Sequence, residues 1–390
     1  MVSYCIRTAV SLACVVIRAH DVTATPARRS PLCLFALLCA STTALVAGAC
    51  ETLPAPDSVT TIATHLAPAA LVTPTTDERT NTIRDAEYLN FIIRASQNDY
   101  SRPDQFPSGL ALSPASVRRE LARFRASPAA ALWIGHSTFL IHVDGLTILT
   151  DPIFFDTASP FASSGPRRYA PAALGIDDLP DIDVILISHD HYDHLDVRSL
   201  EGLAVRFPRA AVLLPRGNER LATDAGFKTV TGLVPIQSIT VSGHRIAAMP
   251  AYHETSRTPH RIDGTQALGW AIRSPRGPSL YFTGDTAYGP FFKHIRRSFG
   301  AFDVAFVPIG AYAPEAENQH AHVTPEQAAQ IAGDLGASVA IAMHWGTFPL
   351  SDEPVMEPPR RFKAAAGNNV VLRIGQAVVL GRGLGDKPGL

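Results

Sequence analysis

"DVILISHDHYDHLD", residues 183–196, runs from an apolar stretch straight into a cluster of metal-binding side chains. Val184 to Ile187 show no polar alternation, as expected of a strand covered on both faces in an α/β protein. Residues 187–196 then hold three histidines and three aspartates. The spacing His189-x-His191 puts two imidazoles on one side of a segment leaving the strand, and Asp193-His194 turns a further pair toward a neighbouring volume. A solvated polar loop has this composition too. Two metal ions a few ångströms apart need two ligand sets with a shared bridge, and a tight H-x-H-x-D-H turn can serve both.

Three more sites place a metal-binding residue type at or just past a strand-like run. His253 follows "RIAAMPAY", Asp285 follows "SLYFTG" and His344 follows "SVAIAM". Each has a plain reading by itself, as a loop histidine, a turn former and a core histidine. Strand ends on one edge of a sheet converge in space, so the four segments together can build one site.

The surrounding pattern is α/β. Residues 131–152 give three short strands punctuated by Gly135 and by the hairpin signal Asp144-Gly145. Residues 113–127 read as a helix capped by Ser113, with Pro114 in its first turn and Val117, Leu121 and Phe124 on one face, packed outside the main fold. Strands alternate with helices as far as residue 343, and "NVVLRI" and "QAVVL" read as a final hairpin.

Composition narrows the function. The chain has 390 residues, 46% hydrophobic and 18% charged, with a formal net charge of -1. That charge, without a basic stripe, gives no reason to expect a nucleic-acid partner. The five cysteines, Cys5, Cys14, Cys33, Cys39 and Cys50, precede the whole catalytic body, which excludes a thiol nucleophile or a Cys-ligated metal there. Arg28 and Arg29 precede an apolar stretch ending in "VAGAC", which resembles a bacterial lipobox. Residues 1–49 thus read as a leader, Cys50 as a lipidated first mature residue on the periplasmic face of a membrane, and residues 50–104 as a flexible tether. An uncleaved anchor helix is the alternative.

In order, "GHSTFLI", "TDPIF", "ASPFASSGPRRY", "LISHDHYDHLD", "YFTGDTAYGP", "VPIGAY", "HVTPEQA" and "HWGTF" resemble the metallo-β-lactamase-fold hydrolases. The likeness covers roughly residues 105 to 360. Within them the chain is similar to the branch containing N-acylphosphatidylethanolamine-hydrolysing phospholipase D and its bacterial relatives. The resemblance implies a four-layer αββα sandwich over residues 105–390 with a dinuclear site at one edge. His189, His191 and His253 would hold one ion, Asp193, His194 and His344 the other, and Asp285 would bridge them. Two Zn²⁺ ions are expected, and Mn²⁺ or Fe²⁺ suit the same donors. Asp151 would orient a ligand imidazole, and His136 falls near the site.

The implied chemistry is attack on phosphorus by hydroxide held between the ions, with Asp193 orienting it. His322, in "AHVTPEQA", is the candidate to bind the phosphate or protonate the leaving alkoxide. Thr324, Pro325 and Gln327 form a helix start that would fix its loop. Arg167 and Arg168 are candidate phosphate contacts. The expected substrate is a phospholipid or other small-molecule ester. The pocket segments "ETSRTPHRIDGTQALGW" and "IGAYAPEAENQHAHV" depart from the branch, which bears on substrate. A sugar-phosphate lactonase, another ester hydrolase such as a β-lactamase, and a non-catalytic metal-binding envelope lipoprotein are the alternatives. An oxygen-reducing diiron protein would carry glutamate in place of His191.

Overall fold

The computed structural model describes residues 60–62, 107–160, 165–255, 257 and 265–381. The leader (1–49), Cys50 and all of the tether (50–104) except 60–62 lie outside them. All the described residues belong to the compact unit Pro54–Leu390.

The chain enters the fold through α1 (Pro114–Ala126). Ser113 Oγ accepts the Ser116 N–H as N-cap, Pro114 occupies the first turn, and Val117, Leu121 and Phe124 are buried, a cap of this kind being worth about 1 kcal/mol. This helix is not peripheral. Its apolar stripe joins the core beneath strands β2 (Ala129–Gly135), β3 (Thr138–Val143) and β4 (Leu146–Thr150). Asp144 and Gly145 both take positive φ between β3 and β4, 47° and 84°, the backbone that an Asp-Gly hairpin turn requires. Beyond the 3₁₀ turn Ile176–Asp178, strands β5 (Val184–Leu186), β6 (Ala211–Pro215) and β7 (Thr229–Leu233) alternate with α2 (Val197–Arg206) and α3 (Glu219–Asp224).

The second half repeats the scheme. It comprises β8 (Ser238–Val241), β9 (His244–Pro250), β10 (Leu268–Arg273), β11 (Leu280–Phe282), α4 (Phe291–Phe299), β12 (Val304–Pro308), α5 (Glu315–Asn318), α6 (Pro325–Leu335), β13 (Val339–Met343), α7 (Glu357–Ala364), β14 (Asn369–Val370) and β15 (Ala377–Val379). Thr60–Ile62, here β1, forms an edge strand antiparallel to β8. One sheet has the order β15-β2-β3-β4-β5-β6-β7 and the other β1-β8-β9-β10-β11-β12-β13-β14.

The sheets pack face to face. Trp133, Phe139 and Ile141 of the first share one apolar core with Trp270, Phe282 and Phe306 of the second. Phe139 meets Phe306 at 4.9 Å. Phe291, Ile295, Ile331, Leu335 and Phe362, from α4, α6 and α7, join the same buried cluster, while Leu200 and Leu203 of α2 pack under the first sheet. The architecture is the expected αββα sandwich. Among the described residues no helix is long and apolar enough to cross a membrane.

One expectation fails. The last two strands do not pair with each other: β14 lies parallel to β13 in one sheet, and β15 lies antiparallel to β2 in the other. The linker explains it. Val371, Leu372 and Ile374 are all buried, so the chain passes through the interior between the sheets instead of turning at the surface.

Candidate metal centre

Six strands point the same way within their sheets, and each delivers a polar residue just past its C-terminal end: His136 after β2, Asp151 after β4, His189 after β5, His253 after β9, Asp285 after β11 and His344 after β13. The two sheet edges are tied together there. Leu268 N–H donates to Ser188 O at 2.8 Å and Trp270 Nε1 to Ile187 O at 3.2 Å. Gly284, at φ +60°, makes the close approach possible, because a Cβ would fall 2.6 Å from the Ser188 Cβ. His136, Asp151 and His344 also take positive φ, at 55°, 34° and 56°. Such backbone costs a non-glycine residue of order 1 kcal/mol or more, a strain that gathers at functional sites.

Two groups of donors result. His189 Nε2 lies 3.0 Å from His191 Nδ1, and His253 Nε2 lies 3.1 Å from the same atom. Tetrahedral Zn–N bonds of 2.0–2.1 Å hold ligand nitrogens roughly 3.3 Å apart, so this spacing suits a common ion. The second group is His194, His344, Asp193 and Asp285. Asp285 Oδ2 is 3.2 Å from His194 Nε2 and 2.9 Å from His344 Nε2, and Asp193 Oδ2 is 3.2 and 3.4 Å from the same two atoms. Asp285 also forms compact donor groups with His189 and His194 and with His253 and His322.

The outward nitrogens fix which lone pairs face inward. His253 Nδ1 donates to Ala321 O at 2.9 Å, and His194 Nδ1 donates to Asp151 Oδ2 at 2.8 Å. Asp151 accepts also from Ser188 N and Oγ, both at 2.7 Å, and Ser188 Oγ lies 2.9 Å from His189 Nδ1. His136 Nε2 lies 2.8 Å from Asp193 Oδ2, while its backbone N–H donates to Thr347 Oγ1 at 2.7 Å. With Nδ1 protonated, His194 Nε2 presents a lone pair to two carboxylate oxygens. It is buried without a hydrogen-bond partner, as are Asp285 Oδ1, His322 Nδ1 and both His344 ring nitrogens. Lone pairs and carboxylates facing one another this closely call for a cation between them, and the donor set fits a divalent one.

Charge follows the same division. Burial pulls His189 well below the usual imidazole range and His191 down to about 3. Burial likewise lowers His253 and His322 and takes His136 to about 3. Burial works against His194 and His344 as well, but Asp285 and Asp193 outweigh it, holding His194 well above the usual range and His344 at about 9. Burial would raise Asp193 and Asp285, yet the neighbouring imidazoles keep both well below the ordinary carboxylate range. In the metal-free protein, protons stand in for the cation.

His322 faces both groups. Its ring lies 5.1 Å from that of His253 and 5.4 Å from that of His344, and its Nδ1 is 3.9 Å from Asp285 Oδ2. The expected helix start fixes it: Thr324 Oγ1 accepts from Gln327 N and Gln327 Oε1 accepts from Thr324 N, with Pro325 opening α6. Glu353 holds the other end of the loop, its carboxylate accepting from Ala311 N at 2.6 Å and Ala313 N at 3.0 Å. Glu353 lies in no sequence motif, whereas Ser188, Thr347 and Ala321 lie inside the runs LISHDHYDHLD, HWGTF and AHVTPEQA, which gave them no role of their own.

The arginine expectation needs correcting. Arg168 is fully buried, donates Nε to Phe155 O at 2.8 Å and Nη2 to Ile153 O, and stacks on Phe348. Its cation is thus engaged with the backbone of the segment after Asp151. Arg167 is exposed. Of the two divergent pocket segments, the one after His253 lies partly outside the described residues.

The comparisons agree with this fold. The family model described as "Beta-lactamase superfamily domain" matches residues 147–345. The N-acyl-phosphatidylethanolamine-hydrolyzing phospholipase D 1 of Caenorhabditis elegans is 34% identical over 245 residues, 60% of this chain and 68% of that protein. An uncharacterized protein of Mycobacterium tuberculosis is 36% identical over 289 residues, 72% of this chain and 74% of that one. Among solved structures, a metallo hydrolase from the archaeon Ignicoccus hospitalis superposes with a TM-score of 0.50 at 24% identity, covering 65% of this chain and 98% of that one.

Proposed function

Because this chain belongs to the beta-lactamase superfamily and is a metal-dependent hydrolase of that fold, we propose that it is a dinuclear phosphodiesterase acting on an N-acylphosphatidylethanolamine-like phospholipid. The observation that carries the dinuclear part is Asp285. One buried carboxylate reaches His194 and His344 on one side and groups with His253 and His322 on the other. His189, His191 and His253 would hold one ion, and Asp193, His194 and His344 the second, with Asp285 between them. Zn²⁺ suits these nitrogen and oxygen donors, as do Mn²⁺ and Fe²⁺. When bound, such ions acidify water, to a pKa of about 7 on zinc, and neutralise charge on phosphoryl oxygens.

The chain's own groups do the rest. Asp193, held by His136 and beside His194 and His344, orients the attacking water. Water adds to phosphorus, the P–O bond to the N-acylethanolamine opens, and the leaving oxygen takes up a proton. His322, kept neutral by burial, is placed to hydrogen-bond a phosphoryl oxygen or to pass that proton on. The C. elegans relative, a phospholipase D by name, supports the lipid diester as substrate. A lipid anchor at Cys50 belongs to the same proposal, supported by the "VAGAC" run, and would hold the enzyme at the membrane that carries its substrate. Mass spectrometry finding intact, unlipidated Cys50 in the native protein would remove the anchor.

The test is release of N-acylethanolamine from vesicles containing N-acylphosphatidylethanolamine by metal-loaded protein, with Asp285→Asn as control. Release by the parent alone is the expected result. No release, with a simple phosphodiester or a lactone hydrolysed instead, would move the substrate and leave the hydrolase.

A further inference from the structure

Four of the candidate ligands, His189, His191, Asp193 and His194, fall within one short turn. The turn has little structure of its own. His194 N and Leu195 N both donate to His191 O, at 3.1 and 2.8 Å. To share an ion its donors must be held close together, His189 Nε2 at 3.0 Å from His191 Nδ1 and Asp193 Oδ2 at 3.2 Å from His194 Nε2. Asp151 and His136 hold its side chains at His194 and Asp193, and a further side chain holds its backbone.

Arg257 lies four residues beyond His253, in the segment where the sequence departs from its relatives. Its Nη1 donates to Asp190 O at 3.0 Å and to Leu195 O at 2.7 Å. Those carbonyls stand on either side of His191, Asp193 and His194. The guanidinium carbon sits 4.2 Å from the centre of the Tyr192 ring, and Tyr192 Oη donates back to Arg257 O at 3.4 Å. One nitrogen thus closes the two ends of the turn while the planar cation stacks on its middle, a combination that lysine cannot reproduce.

We propose that Arg257 is a positioning residue that pre-organises the ligand turn and thereby sets its affinity for metal. The proposal rests on reading residues 189–194 as ligands. It differs in sign from a plain electrostatic role: a fixed positive charge beside a cation site opposes binding, so removing the charge alone would tighten it. Removing a clamp weakens binding, because the turn must then be ordered when the ion arrives.

Chelator competition with Zn²⁺ on the full chain, comparing parent, Arg257→Met and Arg257→Lys, decides between them. Met should bind at least about tenfold more weakly, the size expected when groups supporting metal ligands are lost. Lys, which keeps a donor and loses the stack, should fall between. Hydrogen exchange in the metal-free proteins should show faster exchange at residues 190–195 in the Met variant, with the sheets unchanged. Equal or tighter zinc binding by folded Arg257→Met would overturn the proposal. If that variant does not fold, Arg257→Lys decides, and parent-like affinity in it is the overturning result. A parent that binds no zinc would instead refute the ligand reading; the exchange arm then judges the clamp, with unchanged exchange at 190–195 counting against it.

Discussion

The two sheets feed the site in opposite ways. The seven-stranded sheet contributes a run of adjacent candidates in one turn, with Asp151 and His136 bracing them from neighbouring strand ends. The eight-stranded sheet contributes single residues, His253, Asp285 and His344, one from each of three strands, together with His322 on a loop. The first region is local and carries its own supports. The second exists only when the sandwich has closed, and it alone provides the carboxylate that reaches both donor groups. A compact motif is therefore only half of the centre, and the shared charge comes from the half without one.

Asp285→Asn tests this most severely. If the shared carboxylate joins the two groups, turnover should fall by about a thousandfold or more, the rate equivalent of several kcal/mol of lost charge stabilisation, and metal per chain should drop below two. Parent-like activity would make the local turn sufficient by itself. His322→Ala probes the same sheet without touching a proposed ligand. Turnover should fall about 100-fold, the lower range for a general acid or base, with metal content unchanged; a parallel loss of metal would make the residue structural. Asp151→Asn moves the question to the braces of the first sheet, where metal affinity should weaken roughly tenfold, measured by the same chelator competition.

A further effect is read from pH. In the metal-free protein, His136, His189, His191, His253 and His322 titrate below the ordinary 6.5, so the stability they contribute is present above that pH and lost as pH falls through it. His194 and His344 are raised, and their contribution, present below 6.5, is lost as pH rises above it, through about 9 for His344. The lowered group is the larger, so the melting temperature of chelated protein should drop between pH 7.5 and 5.5, each imidazole counting for about 1 kcal/mol over that interval. A flat or rising profile would place the balance of charge with the carboxylates of the second group.

Sequence patterns spoke clearly where the physics is local. The Ser113 cap, the Asp144-Gly145 turn and the Thr324-Gln327 capping box each depend on residues within three positions of one another, and each formed as read. The convergence of the ligand candidates was legible as well, because metal chemistry restricts residue type and strand ends restrict place. What joins distant segments was not. Arg168 read as a candidate phosphate contact because nothing nearby in sequence reports that the carbonyls of Ile153 and Phe155 accept from it. "NVVLRI" and "QAVVL" looked like partners because each is a good strand and they are close in sequence. Their true partners, β13 and β2, are set by where the sheets have open edges.

That last pairing has a consequence in time. Ala131, in the first long strand of its sheet, is paired on one side only until Val378 has been made. Synthesis proceeds from the N-terminus, so the β2 edge of the seven-stranded sheet stays open until residues 377–379 have been made.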